Sequence, residues 1–557
     1  MHLFPFTAWP RRRLLAIAVA ICLMFTSILT LGGLAAGHMR PAQGANAPVN
    51  ARASTGSAAG SAAGAAQHPQ STRTPMPPAK TPTATSTSGA KQTAHGGSGA
   101  STPATQADSV WTTYLHDLGH TSYNGDETLL TGQTASTLAP AWTLTLPNTL
   151  SAQPVVVNGM VYIGAWDGNE YAYTTAGVLV WSQFLGTMQA AQCRPSSIGI
   201  AATPTIANGV LYISGGAGVF YALDALTGAI LWQTTLGDPS VGEYLWSSPT
   251  VSNGHIYVGM ASLGDCPLVQ GRVYALNATT GQVEQTFYTV PSGCIGASVW
   301  GSIAVDEQHG ALYFATGNSG TCNTPQGCVS AGTPTGGSCP TPEIYGESII
   351  SLSTSDFSLL GRWSVPSGQL VYDSDWGSSP QLWTATWNGA TEYFVGATNK
   401  NGWFYAFDAL NVGRGPKWSV QVASGGSCPQ CGAAAIAGAV WDGTTLYLSG
   451  NKVSFFVPPA TIQVCNANVQ AVNPLNGAPL WHTCFQNTPI LGTLAGAPGV
   501  LAVPVGNTVV ALSTVDGSTL ATYTDSSGKL FWGPVTIADG TLYAGNQDGL
   551  LVALRPS

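Results

Sequence analysis

A strand-turn-strand pattern recurs along most of the chain, and it restricts the fold more than any other feature of the sequence. QPVVVNGMVYIG begins at Gln153, TPTIANGVLYIS at Thr203, SPTVSNGHIYVG at Ser248 and GPVTIADGTLYAG at Gly533. Looser copies start near Ser302, Ser379, Gly438 and Ala495, so the pattern occurs eight times. An Asn-Gly or Asp-Gly pair separates two apolar runs, which marks a two-residue hairpin whose central residues both take positive φ. A further strand, a turn near Gly and often a Trp follow, as in YALDALTGAILW from Tyr221 and QAVNPLNGAPLW from Gln470.

Short antiparallel sheets of this kind bury their faces against one another when repeated around an axis. The spacing therefore predicts an all-β protein, an eight-bladed β-propeller over residues 108–557. The last copy stops at Ser557 without an outer strand, and LAPAWTLTLP, residues 138–147, is available ahead of the first copy to supply it. A ring closed by strands from both ends leaves no open sheet edge. Trp181, Trp232, Trp363, Trp418 and Trp481 end copies and are expected to pack between neighbouring blades.

Two segments precede the repeats. Residues 1–37 carry Arg11, Arg12 and Arg13 ahead of an uncharged apolar run, residues 14–34, long enough to cross a bilayer as a helix. They read as a signal or membrane anchor that keeps its positive flank in the cytoplasm and exports the rest. Residues 38–107 are rich in Ala, Ser, Thr, Gly and Pro with almost no large apolar side chain, the composition of a disordered linker. The membrane is thus a partner through the N-terminal helix alone.

Charge excludes one class of partner. Residues 108–557 hold nine of the 17 basic residues and all 25 acidic ones, a net charge of −16. A surface that neutralises phosphates needs the opposite sign, so nucleic acid is set aside. Ten cysteines follow the apolar run, an even number suited to disulfides in an oxidising compartment. Cys465 and Cys484 flank the turn at residues 473–477 and are expected to pair across a hairpin. Cys428 and Cys431 read as a structural disulfide, because haem attachment needs His where Gly432 stands. The other pairings stay open.

The repeat resembles the pyrroloquinoline-quinone (PQQ) type of propeller, whose Ala-x-Asp-x-x-Thr-Gly-x-x-x-Trp signature is matched from Ala222 to Trp232. Three further stretches resemble quinoprotein alcohol dehydrogenases, especially the polyvinyl-alcohol dehydrogenase branch. In ASVWGSIAVDEQHGALYFATGN, residues 297–318, the resemblance implies that Trp300 is the floor beneath the quinone and Asn318 a calcium ligand. In DSDWGSSP, residues 373–380, it implies that Asp375 is the catalytic base and also faces the metal. In TNKNGWFYAFDA, residues 398–409, it implies that Lys400 contacts the quinone oxygens. Asp265 stands near the family's third metal ligand, a Glu, one methylene shorter and shifted in register, and Arg194 is a candidate contact to a quinone carboxylate.

The residue types suit that chemistry on their own terms. A quinone accepts hydride when charge on its oxygens is stabilised, which a Lys and a cation do. A carboxylate removes the hydroxyl proton of an alcohol, an indole offers a flat floor, and Asn and Asp oxygens suit Ca²⁺. The implied cofactors are PQQ and Ca²⁺, the substrate a small or polymeric alcohol, and the electron acceptor an external one. A non-catalytic propeller that binds proteins or cell-wall polymers is the alternative. His116 and His120 are read as structural.

Overall fold

The computed structural model describes residues 109–557 apart from 191–192, 194, 323–344, 458–460 and 488. The expectations for residues 1–37 and 38–107, and the role given to Arg194, lie outside the described residues. Among the described residues no helix is long and apolar enough to cross a membrane.

Eight antiparallel sheets make the predicted propeller, seven of four strands and the third with the short strand Glu243–Tyr244 added as a fifth, with blades at 155–184, 205–235, 250–288, 304–364, 381–421, 440–485, 495–524 and 536–556. The strand Leu138–Thr145 completes the eighth blade by pairing with Leu550–Pro556, so the ring closes with both ends of the repeat region as expected. The hairpins form where the sequence places them. Asn158 and Gly159 have φ of 52° and 73°, and Asn208 and Gly209 have 52° and 79°, the conformation that Asn-Gly adopts at least cost.

The Asp-x-x-Thr-Gly-x-x-x-Trp signature is the turn between the third and fourth strands of a blade, and it docks on the preceding blade. Asp224 Oδ1 accepts the backbone N–H of Leu226 and Thr227 and the hydroxyl of Thr227, fixing the turn. Gly228 then turns at φ +72°, and the indole of Trp181 from the preceding blade covers it so closely that a Cβ there would lie 2.6 Å from the ring. Trp181 Nε1 donates to the carbonyl of Ala225 in the same turn. Trp232 covers Gly281, Trp418 covers Gly477 and Trp481 covers Gly517 in the same way, as the sequence leads one to expect.

A second set of inter-blade bonds surrounds the axis. The N–H of Gln153 donates to Thr203 Oγ1, that of Thr203 to Ser248 Oγ, that of Ser248 to Ser302 Oγ and that of Ser302 to Ser379 Oγ. The hydroxyl opening one copy thus satisfies the amide opening the copy before it. The entry segment covers the inner strand edges. Trp111 exchanges both backbone bonds with Val156, and carbonyls of Thr112, Leu118, Gly119, Thr121 and Ser122 accept from Ile206, Val305, Leu382, Trp441 and Gly496. His120 is buried there with Nδ1 against the Pro380 carbonyl, and burial pulls its pKa down to about 4, so it is a neutral structural residue.

Candidate functional site

In an antiparallel blade the start of the first strand and the end of the second lie at the same end of the sheet. Trp300 and Asp375 precede the first strands of the fourth and fifth blades, and Asp265, Asn318 and Lys400 follow the second strands of the third, fourth and fifth. Topology therefore gathers residues 135 positions apart in the chain at one end of the ring. Backbone bonds hold the loops together: Lys400 N–H to the Asp375 carbonyl at 2.9 Å, Gly317 N–H to Ser298 at 2.8 Å, and Val299 N–H to Met260 at 3.0 Å. Asn399 Nδ2 donates to the Ser374 carbonyl and locks the Asp375 loop to the Lys400 turn.

The side chains converge on a cavity of about 500 Å³, within the usual range of roughly 300–1,000 Å³ for small-molecule sites. Lys400 Nζ donates to both oxygens of Asp373 at 3.0 Å and to Asp375 Oδ2 at 2.9 Å. Its ammonium lies 5.6 Å from the centre of the Trp300 ring, within cation–π range. Asn318 Nδ2 donates to Asp265 Oδ2 at 3.0 Å and to Asp373 Oδ1 at 2.8 Å. Asp265, Asp373 and Asp375 each offer a carboxylate oxygen within 4.8 Å of the others. Trp300, Asp375, Lys400, Asn318 and Asp265 are therefore brought together.

Burial sets the electrostatics. Asp375 is buried, and its Oδ1 has no hydrogen-bond partner among the described residues. Desolvation is the main cause that pushes its pKa up to about 7; the Lys400 ammonium opposes this, and the charges of Asp373 and Asp265 add to it. For Lys400 burial works downward, but the charges and hydrogen bonds of Asp375 and Asp373 outweigh it and hold the ammonium above its ordinary pKa.

The residues fit a planar quinone and a hard cation. An orphaned carboxylate oxygen, two more carboxylates and an amide oxygen make an all-oxygen donor set of the kind Ca²⁺ takes. Asn318 meets the cluster through its amide nitrogen, so it would offer Oδ1 to a cation after its amide turns over.

Asp373 is the member that sequence reasoning missed, although it stands in the quoted DSDWGSSP stretch. Its φ of 62° marks it as a turn residue, and a turn aspartate and a ligand aspartate look alike in sequence. Trp166, Trp246 and Trp532 also line the cavity and were not singled out. One signal was available: Trp246 and Trp300 each stand two residues before a hydroxyl of the axial ring, Ser248 and Ser302. Pro195, next to the undescribed Arg194, lines the cavity as well.

Residues 195–331 match the family model described as outer membrane protein assembly factor BamB. The chain is 26% identical to a polyvinylalcohol dehydrogenase of a Pseudomonas species over 219 residues, 34% of this chain and 33% of that protein. It is 26% identical to quinohemoprotein alcohol dehydrogenase ADH IIB of Pseudomonas putida over 308 residues, 49% of this chain and 42% of that protein. It thus spans less than half the length of the curated relatives it matches. A quinohemoprotein alcohol dehydrogenase from Comamonas testosteroni superposes with a TM-score of 0.62 at 17% identity, covering 80% of both chains. A europium-containing methanol dehydrogenase superposes with a TM-score of 0.62 at 17% identity over 80% of this chain and 98% of that one. At those identities the superpositions speak for the fold. The resemblance to PQQ-type propellers and to quinoprotein alcohol dehydrogenases, read from the repeat and its three motifs, is borne out.

Proposed function

We propose that this protein is an exported quinoprotein that oxidises a small or polymeric alcohol, with PQQ and a cation such as Ca²⁺ held in the cavity and electrons leaving to an external acceptor. The observation that carries the reading is the convergence of Trp300, Asp375 and Lys400 on one cavity, with Asn318 bonded to its Asp265 and Asp373 and with Asp375 Oδ1 buried and unpartnered among the described residues. When bound, the quinone supplies the hydride acceptor. The chain's own residues do the rest. Trp300 gives the flat ring a surface to stack on. Asp375 accepts the hydroxyl proton of the alcohol as general base. Lys400 Nζ, fixed by two carboxylates over the indole, presents positive charge to the quinone oxygens. Asp265, Asp373, Asp375 and Asn318 hold the cation. Residues 14–34 would keep the propeller at the membrane or be removed on export.

The test is reconstitution of the full chain with PQQ and either Ca²⁺ or a lanthanide, followed by dye reduction with alcohols from ethanol to polyvinyl alcohol. Dye reduction should require both additions. Asp375→Asn should lower turnover by about 10²–10⁴-fold while PQQ still quenches tryptophan fluorescence. Full turnover in that variant, or no PQQ-dependent reduction with any alcohol, overturns the proposal, and absence of PQQ binding would favour the scaffold alternative.

A further inference from the structure

We infer that Cys193 and Cys266 are joined by a disulfide that ties two walls of the cavity together beside Asp265. Six of the described cysteines are already bridged, as Cys294–Cys322, Cys428–Cys431 and Cys465–Cys484. Cys193 and Cys266 are the other two described ones, and although 73 residues separate them in the chain, Cys193 Sγ lies 2.5 Å from the carbonyl oxygen of Cys266. Carbonyl carbon and Cβ are bonded to the same Cα, so rotation about χ1 of Cys266 is the adjustment that turns this contact towards a sulfur–sulfur one. Cys193 is buried in an apolar cluster with Met188, Ile198, Tyr244 and Leu263, and the half-buried Cys266 packs against that cluster, which holds the two chains in place.

The chemistry needs nothing beyond what closes the other three bridges. Two thiols lose two protons and two electrons to a protein disulfide of the oxidising compartment; one S–S bond forms, and the oxidant leaves as a dithiol. The place of the bridge gives it a consequence. Pro195 on one side, and Gly264 and Asp265 on the other, line the cavity, so the bond spans its rim. Asp265 is the exposed member of the carboxylate set and sits in a left-handed turn at φ 58°, held by Ser262 Oγ at 2.7 Å and by Asn318. A covalent tie at the adjacent residue fixes where that carboxylate stands. This second step rests on the proposed cation site; the bond itself does not.

Peptide mapping of the full chain, exported, alkylated without reductant and digested, tests the bond. The Cys193 and Cys266 peptides should appear as one species, two hydrogens lighter than their sum, that separates on reduction. Alkylated thiols at both positions, or either cysteine joined to Cys328 or Cys339, overturns it. Binding of Tb³⁺ to the quinone-free protein, read by luminescence sensitised through the cavity tryptophans, tests the consequence. Cys266→Ser, or the wild type reduced if that variant does not fold, should bind Tb³⁺ about tenfold more weakly. Unchanged affinity removes the hold on Asp265. If the wild type binds no Tb³⁺ while the linked peptide is found, the cation site fails and the bond stands.

Discussion

Glu170 is a carboxyl placed where seven other blades put an apolar side chain, and it should make the propeller less stable as pH rises. It is second in the strand Asn169–Thr174, the place held by Phe220, Val273, Ile349, Phe404, Val469, Val509 and Leu551 in the other blades. Glu170 is 0% exposed, and neither oxygen has a hydrogen-bond partner among the described residues. Oε2 lies against Gly164, where an added Cβ would come within 3.0 Å of it, with Ile200 beside them. Burial raises its pKa well above the ordinary carboxyl value, so the folded chain keeps a proton that the unfolded chain releases. Stability is then complete below the unfolded pKa, near pH 4–5, and falls by about 1.4 kcal/mol per pH unit until the folded carboxyl ionises. Each two pH units inside that window cost about 3 kcal/mol. At roughly 2.1 cal/mol/K per residue, a propeller of this size has an unfolding entropy near 0.9 kcal/mol/K, so that loss is worth about 3 °C in Tm. Glu170→Leu removes the proton linkage. In thermal unfolding scans at successive pH values from 5 upward, the Tm advantage of the variant over the wild type should widen by up to about that amount per two pH units. An advantage that stays constant or shrinks with rising pH would refute the neutral, unpartnered carboxyl.

Two further substitutions probe the site and the blade contacts. Lys400→Gln leaves Asp373 and Asp375 without their ammonium and should cost about 3–5 kcal/mol at pH 7, with much of the loss recovered at pH 5 or on adding Ca²⁺; thermal unfolding under the three conditions reads it. Gly228→Ala forces a side chain into the Trp181 ring at φ +72°, whereas Gly159→Ala meets nothing within 4 Å at φ +73°. Gly159→Ala should therefore cost about 1 kcal/mol from backbone strain alone and Gly228→Ala clearly more, as a difference in denaturation midpoint.

What the sequence made legible was local or countable. Asn-Gly pairs at fixed places in the repeat determine hairpins within a dozen residues, and a last copy one strand short leaves a deficit that the strand Leu138–Thr145 fills. Cys465 and Cys484 were readable for the same reason, since one hairpin relates them. Cys294 and Cys322 were not, because their loops meet only after the third and fourth blades have packed, on the short sheet that pairs Cys294–Gly296 with Ser319–Cys322. The path of the entry segment across the inner strands has no periodicity to announce it, and each backbone bond there pairs residues dozens to hundreds of positions apart.

The candidate site divides along the same line. Trp300, Asn318, Asp375 and Lys400 could be named because each sits in a stretch whose spacing resembles a known pattern, whereas Asp373 could not be separated from a turn-forming aspartate until Lys400 was seen to bridge it to Asp375. Asp265 is the instructive middle case. Its side chain is shorter than the Glu the pattern calls for, and its position is out of register, yet a left-handed turn carries it to within hydrogen-bonding distance of Asn318. Side-chain reach and backbone turn are interchangeable ways of delivering a carboxylate to a point in space. A motif records the first and is blind to the second, so a shortened acid next to a positive-φ turn is weak grounds for discounting a site.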